Sequence, residues 1–272
     1  MLEFEIDQDR CVQCGECANE CPTGVIVMED FPQLINEDGC YKCQHCLAIC
    51  PTASVSILGR DPDDSIELKN NMVDPDKLAT LIKGRRSVRR YKKQDLDRNL
   101  IDELLEVSWH APTGVNSQSV LFTVVHEGKV MDKLRTEVMD ELGILMEEKK
   151  SPNDLVGQYL TMATESWQEN GQDILFRGAP HLLLASAPRQ APSPSQDTLI
   201  ALTTFQLMAH ARGVGTVWNG MFMMALSVCH GLTKRLGIPE DHEIGYAMAF
   251  GKPEVEYHRT VQRGPAMINA VT

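Results

Sequence analysis

The chain has 272 residues, 43% of them hydrophobic and 24% charged, enough for one or two packed domains and too apolar for wholesale disorder. A formal charge of −12 argues against nucleic acid or an anionic membrane as the main partner, since both need basic surface. The charge is uneven: residues 1–72 hold 14 acidic and 4 basic side chains, the remaining 200 hold 24 and 22. A small acidic unit therefore precedes a larger, nearly neutral one.

The first residues, Met1 to Asp7, are acidic and lack the basic start of a secretion signal. The longest apolar stretch, Val214 to Cys229, is interrupted by Asn219 and falls short of a membrane span. A cytoplasmic protein is expected, with its nine cysteines reduced and available as metal ligands.

Residues 11–23 read CVQCGECANECPT and residues 40–52 read CYKCQHCLAICPT, the same C-x2-C-x2-C-x3-C-P-T pattern 29 residues apart. Each is followed by a short apolar run, Val25-Ile26-Val27 and Val55-Ser56-Ile57, which suits a brief strand. Residues 1–60 are expected to form one compact unit. Zinc sites pair two C-x2-C knuckles, whereas three closely spaced cysteines with a fourth before proline hold iron–sulfur clusters, the fourth serving the other cluster. The spacing predicts two [4Fe-4S] clusters, one on Cys11, Cys14, Cys17 and Cys50, the other on Cys40, Cys43, Cys46 and Cys21. This block resembles the bacterial two-cluster ferredoxin along its whole length.

Residues 61–75 are polar, contain two prolines and read as a linker; residues 76–272 then form the second domain. Asp76–Lys83 suits a short helix. Leu96, Leu100, Ile101, Leu104, Leu105 and Trp109 recur at helical spacing, so a helix is predicted over 96–110, stopping before Pro112. Strands are predicted at 121–126, 181–186 and 244–250. Helices are predicted at 129–150, from a cap at Asp197 to Arg212, and over 225–236. Residues 252–272 show no periodicity. Helices outnumber strands without alternating with them, which favours an α+β fold.

Arg85-Arg86-Ser87-Val88-Arg89 offers guanidinium forks to an anionic phosphate, although the run on its own is better read as a solvated basic face. It is followed in order by Ala111-Pro112-Thr113-Gly114-Val115-Asn116-Ser117-Gln118, Arg177-Gly178-Ala179-Pro180, a stretch from Gly213 to Gly220, Ala249 to Pro253, and Arg263-Gly264-Pro265. At these separations the segments resemble the FMN-dependent nitroreductase family over about 80–266. The resemblance implies a central mixed sheet flanked by helices, bound FMN, and a homodimer whose C-terminal arm wraps the partner. It implies FMN contacts from Arg85, Arg86, Ser87 and Arg89, the last at the pyrimidine edge of the ring, and from Arg263 at the phosphate. Pro112, Thr113, Asn116 and Gln118 would close over the flavin of the other subunit, and the backbone at Asn219 and Gly220 would meet its N5. Ser119-Val120 replaces the Pro-Trp that often follows in the family, so the substrate pocket is expected to be wider or more polar. The family's flavin contact before Arg177 has no clear match; Asn170 and Gln172 are candidates.

Cys229 and the Met221, Met223, Met224 group are better read as core filling than as redox or ligand groups. The eight histidines show no metal-binding spacing. No catalytic side chain is expected beyond the flavin. The combined expectation is an iron–sulfur flavoprotein, of a kind found in anaerobes, passing electrons from its clusters to FMN and on to a nitroaromatic, quinone or enone. The donor is ferredoxin or NAD(P)H. In the NAD(P)H case the clusters act as secondary carriers, and a further alternative is an electron-transfer adaptor of a larger redox complex.

Overall fold

The computed structural model describes residues 2–148, 152 and 154–271 of the chain, which divides into two compact units: Met1–Asp74 with Val115–Ser117, and Pro75–Gly114 with Gln118–Thr272.

In the first unit, β1 (Glu5–Ile6), α1 (Glu16–Asn19), β2 (Ile26–Met28), β3 (Pro32–Leu34), α2 (His45–Ile49) and β4 (Val55–Ser56) follow in order. Strand β1 pairs antiparallel with β4, and β2 with β3. The apolar runs after each cysteine block thus become β2 and β4. Their partners β1 and β3, two and three residues long, are too short to show an alternating pattern. The sequence repeat is also a backbone repeat. Gln13 and Lys42 are left-handed (φ 55° and 54°), as are Gly15 and Gln44 (φ 77° and 58°). Both residues of the second pair precede a short helix, α1 and α2, that buries its cysteine, Cys17 or Cys46, among Leu2, Ile26, Leu47, Val55 and Ile57.

The second unit opens with α3 (Pro75–Gly84) and α4 (Arg98–Trp109), then β5 (Leu121–Val125), α5 (Gly128–Glu147) and α6 (Leu155–Asn170). There follow β6 (His181–Pro188), α7 (Pro194–Ala211), β7 (Gly215–Trp218), α8 (Gly220–Val228), α9 (Leu232–Arg235) and β8 (His242–Gly251). The sheet order is β5-β6-β8-β7 with antiparallel ladders, and a lone parallel bridge from Ser87 to Thr216 adds a parallel component. Central strand β6 is buried on both faces, which accounts for its unbroken apolar run. Leu182 and Leu184 pack against α5, α6 and α8, while Leu183 and Ala185 pack against α4 and α7. Each buried leucine contributes about 1.5–3 kcal/mol.

Several boundaries differ from those the sequence predicts. Helix α5 covers Gly128–Glu147, and residues 149–150 of the predicted helix lie outside the described residues. Helix α6 has no counterpart among the predicted elements; Asp154 caps it by accepting from the N–H of Val156 and Gly157, and left-handed Gly171 ends it. Asp197 is not the cap of α7. Ser193 holds that position with Pro194 next, and Asp197 lies buried in the first turn. The helix predicted over 225–236 is two helices, α8 and α9, parted at Cys229–Gly231. Beyond β8 no regular element follows among the described residues, and Met267, Ile268 and Val271 are fully or almost fully exposed.

Candidate functional site

Two cavities in the first unit sort the eight repeat cysteines. Cys11, Cys14, Cys17 and Cys50 line one, and Cys21, Cys40, Cys43 and Cys46 line the other. The structure thus brings together the four cysteines of each expected three-plus-one set. Among the described residues no three His, Cys, Asp or Glu side chains close on a single-ion site. The thiols surround a space instead, and the paired left-handed residues at 13 and 15, and at 42 and 44, are of the kind that curl backbone N–H groups into an anion-binding concavity. The donor set fits a [4Fe-4S] cluster at each cavity.

The threonine of each C-P-T run has a local role. Thr23 Oγ1 is 3.7 Å from Cys21 Sγ, and Thr52 Oγ1 is 3.8 Å from Cys50 Sγ. Burial would raise the Cys50 thiol, but Ser54 (hydroxyl and N–H both at 3.2 Å) and Thr52 outweigh it and bring it down to about 7. Cys21 is lowered against burial in the same way, by Thr23 and nearby N–H groups. Cys46 is pushed up by burial to about 11, against the lowering effect of the Leu47 N–H. Hydrogen bonds to the sulfurs are a lever on cluster potential, and they concentrate on the two crossing cysteines.

In the second unit, a cavity of about 1010 Å³ is lined in part by Arg85, Arg86, His210, Lys252, His258 and Arg259. Burial lowers the Arg85 guanidinium, and the charges of Arg86 and Arg263 lower it further; His210 is lowered by burial and by Arg85 and Arg86. Among the described residues no carboxylate pairs with Arg85 or Arg86, and Arg86 Nε is buried without a partner. Asp76 and Glu256 line the same cavity without pairing with Arg85 or Arg86, and like charges held this close favour an anion. Arg263 lies on the exposed tail, close enough to act on Arg85.

Segment 85–89 lies along β7, where the Val88 N–H donates to the Thr216 carbonyl at 2.9 Å. Gly215 permits this approach: a Cβ there would meet Val88 at 2.8 Å. Tyr91 fixes the segment from beyond, its hydroxyl donating to the Val88 carbonyl at 2.7 Å. Arg89 lines a second cavity, of about 780 Å³, together with Gln172, Arg177 and Trp167. Gln172, not Asn170, is the candidate that shares this cavity with Arg89. Arg135, which the sequence did not single out, supports its wall. Arg135 Nε donates to Asp173 Oδ2 at 2.7 Å and Nη2 to the Ala179 carbonyl at 2.8 Å.

Asn219 caps α8, its Oδ1 accepting from the Phe222 N–H at 3.0 Å, while its buried Nδ2 has no partner among the described residues. Gly220 follows, with the Tyr246 hydroxyl 3.0 Å from where a Cβ would stand. In the 112–118 stretch, Val115, Asn116 and Gln118 are all left-handed, and the Gln118 N–H donates to Thr113 Oγ1 at 3.0 Å. Asn116 groups with the first unit, where its Nδ2 donates to the carbonyls of Tyr41 (2.9 Å) and Lys42 (3.1 Å). Pro112 is exposed. Cys229 is fully buried in the α5–α6–α8 core, which pushes its thiol up to about 12, and Met221, Met223 and Met224 pack against the same core. Both behave as core filling.

The nitroreductase family matches residues 82–252, and the 4Fe-4S dicluster domain matches residues 10–55. An iodotyrosine deiodinase of Thermotoga neapolitana is 25% identical over 140 residues, 52% of this chain and 72% of that protein. A Methanothermobacter thermautotrophicus protein named for NADH dehydrogenase/NAD(P)H nitroreductase activity is 25% identical over 171 residues, 61% of this chain and 72% of its own. Among solved structures, an FMN-bound nitroreductase from Bacteroides fragilis superposes with a TM-score of 0.57 at 20% identity, covering 71% of this chain and 99% of its own. No helix among the described residues is long and apolar enough to cross a membrane.

Proposed function

This chain belongs to the nitroreductase family, and from that premise we propose an iron–sulfur flavoprotein that takes up electrons at two [4Fe-4S] clusters and hands them through FMN to an electron-poor organic acceptor. Nitroaromatics, quinones and conjugated enones are the acceptor class. Bound FMN supplies the two-electron chemistry and the clusters the one-electron carriage. The protein's part is to bind and orient. Arg85, Arg86 and Arg263 hold the phosphate, with Ser87 beside them. Arg89 and Gln172 face the pyrimidine edge, where a cation stabilises negative charge on the reduced ring. The backbone at Asn219 and Gly220 would lie against the ring. Each cluster takes three cysteines of one run and the fourth of the other.

The observation that carries this reading is the close pair Arg85 and Arg86, with no carboxylate paired to either among the described residues, on a chain that also holds two four-thiol cavities. The exposed apolar side chains of the tail, Met267, Ile268 and Val271, suit burial against a second copy, and a cytoplasmic homodimer from an anaerobe is proposed, with Pro112, Thr113, Asn116 and Gln118 completing the partner's flavin site. The donor is a reduced ferredoxin or a similar low-potential carrier.

A second reading, NAD(P)H as donor, is favoured by one feature. The residues holding the clusters carry most of the negative charge, whereas the flavin cavity is cationic and attracts an anionic dinucleotide. The test is anaerobic turnover of a nitroaromatic and a quinone by the FMN- and iron-loaded full chain, driven by a reduced low-potential dye. Turnover of either supports the reading; a loaded protein that reduces neither counts against it.

A further inference from the structure

The second cavity holds more positive charge than the flavin reading uses. Its charged lining comprises Arg89, Lys93, Lys129, Arg135 and Arg177 against Asp95, Asp132 and Asp173. All three carboxylates are engaged. Asp132 and Asp173 bind Arg135, and Asp95 Oδ1 accepts from the Gly128 N–H at 2.8 Å. Lys129 pairs with Glu127 at 2.9 Å. Among the described residues no carboxylate pairs with Arg89, Lys93 or Arg177. Arg89 is assigned to the ring edge, which leaves Lys93 and Arg177 surplus.

The backbone that carries Arg177 is fixed, while its side chain stands exposed at the cavity wall. Its backbone is left-handed, φ 61°, before Gly178 at 67°, a costly conformation for a residue with a Cβ. The surrounding bonds over-determine it. Asp173 accepts from the Phe176 N–H (2.7 Å) and the Gly178 N–H (2.9 Å), and Arg135 ties Asp173 to the Ala179 carbonyl. Half-buried Trp167 gives the same cavity an apolar wall.

We propose that this cavity recognises a carboxylate on the acceptor. Lys93 and Arg177 bind the anion and Trp167 packs on the attached ring, so the enzyme takes aromatic or conjugated carboxylates in preference to their neutral counterparts. The inference rests on the reading of the chain as an FMN-dependent enzyme. A dinucleotide phosphate offers similar anionic chemistry, so the test separates the two.

The oxidised, FMN-loaded full chain is titrated with benzoate, methyl benzoate and NADP+, and binding is read from flavin absorbance and tryptophan fluorescence. None of the three is reduced by the oxidised protein. Benzoate is expected to bind at least about tenfold more tightly than its ester, the value of one charge-assisted contact. Arg177→Gln and Lys93→Gln should each erode that ratio, their combination should remove it, and Arg177→Lys should restore part of it. Equal affinity for benzoate and ester, a preference that survives the double substitution, or losses confined to NADP+ would overturn the proposal. FMN content is measured first. A chain that takes up no FMN overturns the underlying reading and this inference with it, whereas a flavin-loaded protein without carboxylate preference overturns the inference alone.

Discussion

Replacing Arg135 by Met removes a buried charge and keeps most of the alkyl packing. The Arg135 side chain is 10% exposed and that of Asp173 is 7% exposed, so neither is rehydrated by a small adjustment. Asp132 is 75% exposed and contributes little to the balance. The substitution leaves Asp173 with two N–H donors but no cation, and breaking a buried pair from one side costs about 3–5 kcal/mol. Arg135→Met combined with Asp173→Asn removes the stranded charge and keeps Oδ1 as acceptor for the Phe176 N–H, at the cost of the Oδ2 acceptor of the Gly178 N–H. The double variant should therefore recover roughly 1–3 kcal/mol relative to the sum of the single effects. Urea denaturation followed by tryptophan fluorescence reads this directly, because Trp109, Trp167 and Trp218, the chain's three tryptophans, all belong to the second unit. FMN affinity should fall in parallel, since the pair holds the wall carrying Gln172 and Arg177. A loss below about 1 kcal/mol in Arg135→Met, or strict additivity in the double variant, would refute the reasoning.

Anaerobic analysis of the loaded chain should give about eight iron and eight acid-labile sulfide per chain, with stoichiometric zinc as the contrary result. Arg85→Ala with Arg263→Ala should weaken FMN binding by roughly 2–5 kcal/mol, measured by flavin fluorescence, and undiminished affinity would remove both residues from the phosphate site. Burial lowers the His181 pKa, and its Nε2 accepts from the Leu96 N–H at 2.9 Å, so the unfolded chain binds the extra proton. This contribution is present above about 6.5 and is lost as pH falls toward the depressed folded value. The denaturation midpoint should drop between pH 7 and 5, less steeply in His181→Phe; an identical slope in the variant would contradict the assignment. Light scattering at micromolar concentration should show a dimer, and a folded, FMN-loaded monomer would exclude a shared flavin site.

What the sequence showed followed from how local each signal was. The cysteine runs are legible because each keeps its four thiols within a dozen residues, and the two four-thiol cavities draw on both copies. Strand β6 is legible because burial on both faces leaves an unbroken apolar run. Helix α6 was hidden because Thr161, Thr164 and Ser166 interrupt its apolar face, although its stops, Asp154 and Gly171, stand in the sequence. The break between α8 and α9 turns on His230-Gly231, a local feature outweighed by the apolar run around it. The second cavity was invisible for a different reason. Lys93, Arg135, Trp167 and Arg177 lie far apart in the chain and are brought together only by folding.

The central claim is that electrons enter at the clusters and leave through the flavin. Stopped-flow mixing of the oxidised, fully loaded protein with a reduced low-potential dye, and separately with NADPH and NADH, tests it most directly when cluster and flavin absorbance are followed together. The account predicts that the dye bleaches the clusters first, that flavin reduction follows at a rate matching steady-state turnover, and that the nicotinamides reduce the flavin far more slowly. Flavin reduced by NADPH or NADH at the turnover rate while the clusters stay oxidised would contradict it.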